Sequence, residues 1–265
     1  MKPCNEILCG NALDVLSTFD SDFVDLTVFS PPYDNMRDYK GYTCDLHVLG
    51  EQLFRVTKEG GIVVMVIQDQ TVNGWKTLTS FRTIVDWCDS IGFGLFECNI
   101  YNRHGKPGAF WSKRFRVDHE YMPIFIKGRK PNYFNKESIK IPSKHGGKFM
   151  RIASVRCKDG ETRYPGEFTA ALTKCRGTIW NYAQQKTTAI KRKHPAVYPD
   201  KIPYDFISVF TQKGDLVLDP MVGSGSTTVS ASMLGRKYIG IDISKEYCEM
   251  TTERMKNVQQ SIFTG

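Results

Sequence analysis

Short, dense apolar runs alternate along this chain with amphipathic stretches and small-residue turns. Residues 24–29 (Val-Asp-Leu-Thr-Val-Phe) and 62–67 (Ile-Val-Val-Met-Val-Ile) read as buried strands, because both are short and nearly continuous in hydrophobicity. Residues 6–9, 94–101, 121–126, 215–219 and 237–242 read as five more strands. Apolar spacing at Leu46, Leu49, Leu53 and Phe54 predicts a helix over 46–56. A second is predicted over 77–90, with Phe81, Ile84, Val85 and Cys88 on one face. Shorter helices are predicted over 12–19, 204–210 and 229–234, the last of these closed by Gly235, and a final one over 245–256. Strands alternating with helices place the chain in the α/β class.

Two stretches break this alternation before the long one does. Residues 34–43 are polar, include Arg37 and Lys40, and read as a loop. Residues 103–117 interleave Arg103, Lys106, Lys113, Arg114 and Arg116 with Phe110, Trp111 and Phe115, a mixture suited to gripping phosphates and stacking on bases. From residue 127 to 193 periodicity is lost altogether. Residues 128–193 hold sixteen Lys/Arg against four Asp/Glu, a net +12 in a chain whose total is +8, which leaves the remainder at −4. A basic block on a mildly acidic body suggests a polyanion contacted by one region. The predicted division is therefore 1–127, a basic insert at 128–193, and 194–265.

Composition narrows the class further. The eight cysteines form no Cys-x-x-Cys pair, and no histidine lies at zinc-like spacing to them, so neither a metal site nor a disulfide is predicted. Reduced cysteines, no apolar run long enough to cross a bilayer, and an N-terminus without a secretory apolar core together predict a cytoplasmic protein with no membrane partner.

Two constellations carry candidate chemistry. Ser30-Pro31-Pro32-Tyr33 ends the 24–29 strand abruptly, since each proline lacks an N–H and fixes φ. Alone, such a pair is an ordinary turn. At the carboxyl edge of an α/β sheet it offers a serine oxygen, a free carbonyl and an aromatic face, which suit a flat base bearing an exocyclic amine. The second constellation is strand, Asp219-Pro220-Met221-Val222-Gly223-Ser224-Gly225 turn, helix, then a strand ending in Asp242, 19 residues after Gly223. Glycines let a ligand approach the backbone, the helix start favours an anion, and an acid at that distance can accept both ribose hydroxyls. No third glycine opens the helix, so a dinucleotide fits less well. Asp219 can hold an ammonium, and an amino acid joined to a nucleoside has every group required; S-adenosylmethionine is such a molecule.

Together these motifs resemble the DNA amino-methyltransferases. Ser30-Pro31-Pro32-Tyr33 is similar to their catalytic motif, and residues 218–228 (Leu-Asp-Pro-Met-Val-Gly-Ser-Gly-Ser-Thr-Thr) to their cofactor motif. The order of catalytic motif, basic insert, cofactor motif resembles the beta group, and residues 194–199 (His-Pro-Ala-Val-Tyr-Pro) resemble the segment leading into its cofactor site.

The resemblance implies a seven-stranded, Rossmann-like methyltransferase sheet, circularly permuted, with a small inserted target-recognition region. It implies S-adenosylmethionine held by Asn11, Asp219, Pro220, Met221, Gly223, Gly225, Thr227 and Asp242, with asparagine at 11 where the family often has an acid. Arg37, Lys40, Arg103, Lys106, Lys113, Arg114 and Arg116 would contact double-stranded DNA. The target base would leave the duplex. Serine at the first motif position is commoner in the N4-cytosine enzymes, so cytosine is expected, with N6 of adenine the alternative. A restriction endonuclease would be a functional partner, and the protein a monomer or homodimer. An RNA or protein-glutamine amino-methyltransferase and a non-catalytic DNA-binding module are the competing classes. His119 and Glu120 read as a structural strand pair.

Overall fold

The computed structural model describes residues 2–32, 44–103, 113–151, 154–164, 166–182 and 198–264, with side chains described through Val258. The chain divides into two compact units, Met1–Asn135 with Thr178–Gly265, and Lys136–Gly177.

In the large unit the first half contributes β1 (Glu6–Cys9), α1 (Ala12–Ser17), β2 (Val24–Phe29), α2 (Leu46–Val56) and β3 (Thr57–Met65). A two-strand hairpin follows, β4 (Thr71–Val72) and β5 (Trp75–Lys76), then α3 (Thr79–Asp86), β6 (Gly94–Asn102) and β7 (His119–Ile126). The small unit holds β8 (Lys140–Pro142), β9 (Phe149–Arg151), β10 (Val155–Arg156), β11 (Thr162–Arg163), β12 (Glu167–Thr169) and β13 (Thr173–Cys175). These pair antiparallel as β8 with β13, β9 with β12 and β10 with β11. The chain returns to the large unit with β14 (Ile179–Asn181), α4 (Lys201–Phe210), β15 (Leu216–Asp219), α5 (Ser226–Met233), β16 (Lys237–Asp242) and α6 (Lys245–Thr264).

One eight-stranded sheet, ordered β1-β16-β15-β2-β3-β7-β6-β14, forms the large unit's centre. β7 runs antiparallel to both neighbours, and every other pairing is parallel. The two C-terminal strands β15 and β16 sit between β1 and β2, so sequence-distant segments share one sheet edge. Strands buried on both faces need continuous apolar runs, and β2, β3 and β15 supply them: Val28, Phe29, Val63, Val64 and Leu218 are fully buried. α1 and α2 cover one face through Leu16, Leu49 and Leu53, while α4, α5 and α6 pack against one another and against β2, β15, β16 and β1. Among the described residues no helix is long and apolar enough to cross a membrane.

Three expectations change here. Among the described residues the sheet has eight strands rather than seven, because Ile179–Asn181 adds to the far edge beside β6. Three residues are too few to show a period, yet Trp180 is buried and stacks on Phe206 with ring centroids 4.7 Å apart. The second compact unit is correspondingly narrower than 128–193, since residues 128–135 and 178–182 belong to the large unit. Finally, the expected 77–90 helix is α3 followed by a π turn at Trp87–Ile91, and Phe81 and Val85 are exposed. Asp69 draws the other side inward: its carboxylate accepts the Ser80 N–H and hydroxyl, both at 2.8 Å. Trp87 then enters the core, stacked on Phe93, with its Nε1–H donated to the Leu46 carbonyl at 2.9 Å.

Candidate active site

Four parallel strands, β1, β16, β15 and β2, present their carboxyl ends along one edge. β15 and β2 are direct neighbours, with Val217 opposite Leu26 and Leu218 opposite Thr27. After β15 the chain crosses to β16, on the side away from β2. A crevice forms where connections part in this way, and ligands of open α/β sheets bind there. Ser30, Pro31 and Pro32 leave β2 at this crevice, Pro31 buried and its two neighbours half-buried.

Asp219 ends β15 and is buried; its Oδ1 accepts the Met221 N–H at 3.0 Å. Asp242 ends β16, half-buried, with Oδ2 accepting the Gly223 N–H and Oδ1 the Ser244 N–H, both at 2.9 Å. Gly225 turns the chain into α5 at φ +81°, a left-handed conformation that a side chain resists. A Cβ there would also lie 2.8 Å from Thr251 Cγ2, and Thr251 is itself held by donating its hydroxyl to the Gly223 carbonyl at 2.9 Å. Arg254 fixes the middle of the turn, donating to the Ser224 carbonyl while pairing with Asp200 at 3.2 Å.

The electrostatics favour a cation. Burial, reinforced by the Asp242 charge, pushes the Asp219 carboxyl up to about 7, against the hydrogen bond it accepts from the Met221 backbone. Burial also raises Asp242, opposed by the backbone N–H groups it accepts. Two carboxylates crowded beside a bare backbone turn suit a ligand with a positive centre and a hydroxylated ring.

A hydrogen-bonded relay ties the two constellations together. Thr227, in the first turn of α5, is fully buried and donates to the Val28 carbonyl of β2 at 3.1 Å. The Tyr198 hydroxyl lies 2.7 Å from Thr227 Oγ1, so Tyr198 is the donor and the threonine passes the chain on. Burial holds the Tyr198 phenol well above its ordinary value, with Asp219 adding to the rise. The helix behind the glycine turn is thereby fastened to the strand that ends at Ser30.

A family model described as N6/N4 DNA methylase matches residues 24–253. The chain belongs to that family. The methylase is also 38% identical over 239 residues to the orphan methyltransferase M.BamHII of Bacillus amyloliquefaciens, covering 88% of this chain and 89% of the relative. Among solved structures it resembles the cytosine-N4-specific PvuII DNA methyltransferase, with a TM-score of 0.73 and 18% identity over 98% of this chain and 92% of the other. A complex of M1.HpyAVI with SAM gives a TM-score of 0.65 and 19% identity, over 94% and 98%.

The methylase brings most of the sequence-predicted cofactor residues to one place. Asp219, Pro220, Met221, Gly223 and Gly225 lie on the β15–α5 turn, and Asp242 faces it from β16. Asn11 lies at the same edge after β1, where its carbonyl oxygen caps α1 by accepting the Leu13 N–H at 2.9 Å. Thr227 spends its hydroxyl on the relay behind the turn. Tyr33, Arg37, Lys40 and Lys106 lie outside the described residues. Lys113, Arg114 and Arg116 are exposed. Arg103 is the exception among the described ones: it is mostly buried and pairs with buried Glu120 at 3.1 Å. A buried carboxylate needs a partner, so this arginine answers an internal demand. Tyr198 falls in the 194–199 segment that resembles the lead-in to a cofactor site, but its role, like that of Arg254, is invisible to periodicity, which has no means of marking a buried hydroxyl or a helix arginine that reaches back to a turn.

Proposed function

We propose that this methylase transfers a methyl group from S-adenosylmethionine to the exocyclic N4 of a cytosine turned out of duplex DNA, within a restriction-modification setting. N6 of adenine is the alternative, and the family spans both amines. The observation carrying this reading is the adjacency of Ser30-Pro31 to the Asp219 turn, enforced by the β2–β15 register and the Thr227–Val28 bond.

The cofactor's part is to supply an electrophilic methyl on a sulfonium. The chain's residues do the rest. Asp219 would hold the ammonium and Asp242 the ribose hydroxyls, while the backbone at Gly223 and Gly225 would leave room for close approach. An exocyclic amine is a poor nucleophile because its lone pair is delocalised into the ring. Ser30 Oγ and a proline carbonyl accept its two hydrogens, which turns the lone pair toward the methyl and stabilises positive charge developing on nitrogen. Tyr33 is assigned by its motif to hold the ring. In-line transfer then needs mainly alignment. Support for cytosine comes from serine at the first motif position and from the substrate named for the PvuII enzyme.

Incubation with methyl-tritiated cofactor and duplex DNA, followed by chromatography of the hydrolysed bases, tests the proposal. Label in 4-methylcytosine is expected, and Ser30→Ala should lower turnover about 100-fold or more with cofactor affinity kept. Label in 6-methyladenine selects the alternative amine. Label in RNA or protein, or in nothing, removes DNA modification as the function.

A further inference from the structure

The hairpin β4–β5 has no part in the site just described, yet it leaves the same sheet edge. β3 pairs in parallel with β2, Phe29 opposite Met65, and the Val66 N–H donates to the Phe29 carbonyl at 2.8 Å. The chain beyond β3 therefore emerges beside Ser30. Gln68 is bound to the His119 carbonyl at 2.6 Å, which brings the segment preceding β7 to this edge too.

The hairpin is short and stiff. Val72 faces Trp75 across a two-residue turn in which Asn73 (φ +50°) and Gly74 (φ +85°) are both left-handed, the type I′ geometry that suits twisted strands. Its base is closed by the Thr77 N–H to the Gln70 carbonyl at 3.1 Å, and by Lys76 Nζ to the Asp69 carbonyl at 3.0 Å. At the tip stands Trp75, 79% exposed, making no ring contact among the described residues. Arg114 reaches the tip and donates to the Gly74 carbonyl. Lys113 and Arg116, both exposed, lie on either side of Arg114 in the sequence, Phe115 is 99% exposed, and Asp118 is the acid of that stretch.

A bare indole on a rigid hairpin, its tip reached by Arg114 and lying beside the catalytic edge, matches a ligand that is both polyanionic and stacked. We propose that this hairpin is a wedge for duplex DNA: Trp75 occupies the base stack next to the extruded target, and Arg114 with its neighbours holds the adjoining phosphates. This rests on the DNA-methylase reading above and adds to it a stacking residue and its role. The cost of turning a base out is unstacking and unpairing. An indole entering the gap recovers part of the stacking, which sequence-tolerant aromatic–base contacts provide at any step.

The test measures steady-state methylation of duplexes carrying the enzyme's own site, mapped by long-read sequencing of modified DNA. The target base is either normally paired or set opposite an abasic position. Trp75→Ala is expected to raise KM for the paired duplex about tenfold. On the abasic-opposed duplex, where extrusion is already cheap, the loss should shrink to within about twofold. Trp75→Phe should keep most of the function. Thermal unfolding of both variants should match wild type, because the side chain is exposed. A Trp75→Ala enzyme equal to wild type on paired DNA, or equally impaired on both duplexes, overturns the wedge while leaving DNA methylation standing. A wild-type protein that methylates no DNA overturns both.

Discussion

Asp219 shows what a single carboxylate costs when the fold buries it with no counter-charge among the described residues. With its pKa near 7 in the folded protein, it keeps its proton over a range in which the unfolded chain has lost it. Below about pH 4 both states are protonated and there is no penalty. Stability therefore falls as pH rises from there to about 7, by up to about 4 kcal/mol from this group. Asp219→Asn removes that dependence. The difference between variant and wild-type stability, from urea midpoints of ligand-free protein at pH 4, 6 and 8, should move in the variant's favour as pH rises. A cation docked beside the ionised carboxylate reverses the balance, so wild-type cofactor affinity should increase through neutrality and lose that slope in Asp219→Asn. Arg103 makes the opposite point, since its charge is needed inside. Arg103→Ala removes the cation paired with buried Glu120 and should cost about 3 kcal/mol, whereas the double change Arg103→Met, Glu120→Met should recover most of it. Paired thermal melts separate that outcome from a DNA-contact role, which would leave stability untouched.

At the scale of elements, the turn between β15 and α5 is the part most sensitive to a methyl group. Gly225→Ala meets two obstacles, a left-handed φ and a Cβ 2.8 Å from Thr251 Cγ2, and should lose about 2–3 kcal/mol together with cofactor binding. Thr251→Ser in that background keeps the bond to the Gly223 carbonyl and relieves only the steric part, so a partial rise in melting temperature is expected. This turn was legible in the sequence because glycines, flanking apolar strands and a spaced acid are all local signals. β2 and β16 were legible to the residue for the same reason. The exposure of Phe81 and Val85 on α3 was not, because apolar spacing announces a single buried face while a distant group, Asp69, decides which side turns inward. β14 escaped because its order comes from Trp180 packing on Phe206, a contact that no window of neighbouring residues contains. The relay from Tyr198 through Thr227 to Val28 joins three segments by hydroxyls, which leave no periodic trace.

At the scale of the whole molecule, charge and fold are separated along the chain. The compact unit Lys136–Gly177 has ten Lys/Arg and four Asp/Glu, a net +6 in forty-two residues. Its acids are already engaged: Glu137 with Lys140, Glu167 with Arg151, and Asp159 and Glu161 with Arg163. Its six strands are two or three residues long and almost wholly exposed, so the unit has little core to protect and its basic side chains face water. Surface cations of this kind add little to stability, but each one placed on a phosphate releases a counterion on binding. Lys144→Gln and Lys148→Gln should therefore leave the melting temperature within about a degree of wild type, given surface effects within about 0.5 kcal/mol. If these lysines meet phosphates, each change should lower the slope of log affinity against log salt by about one and weaken binding to all DNA sequences alike. Fluorescence anisotropy with specific and unrelated duplexes, titrated from 50 to 200 mM salt, gives both quantities; an unchanged slope would place the DNA on another face of the protein.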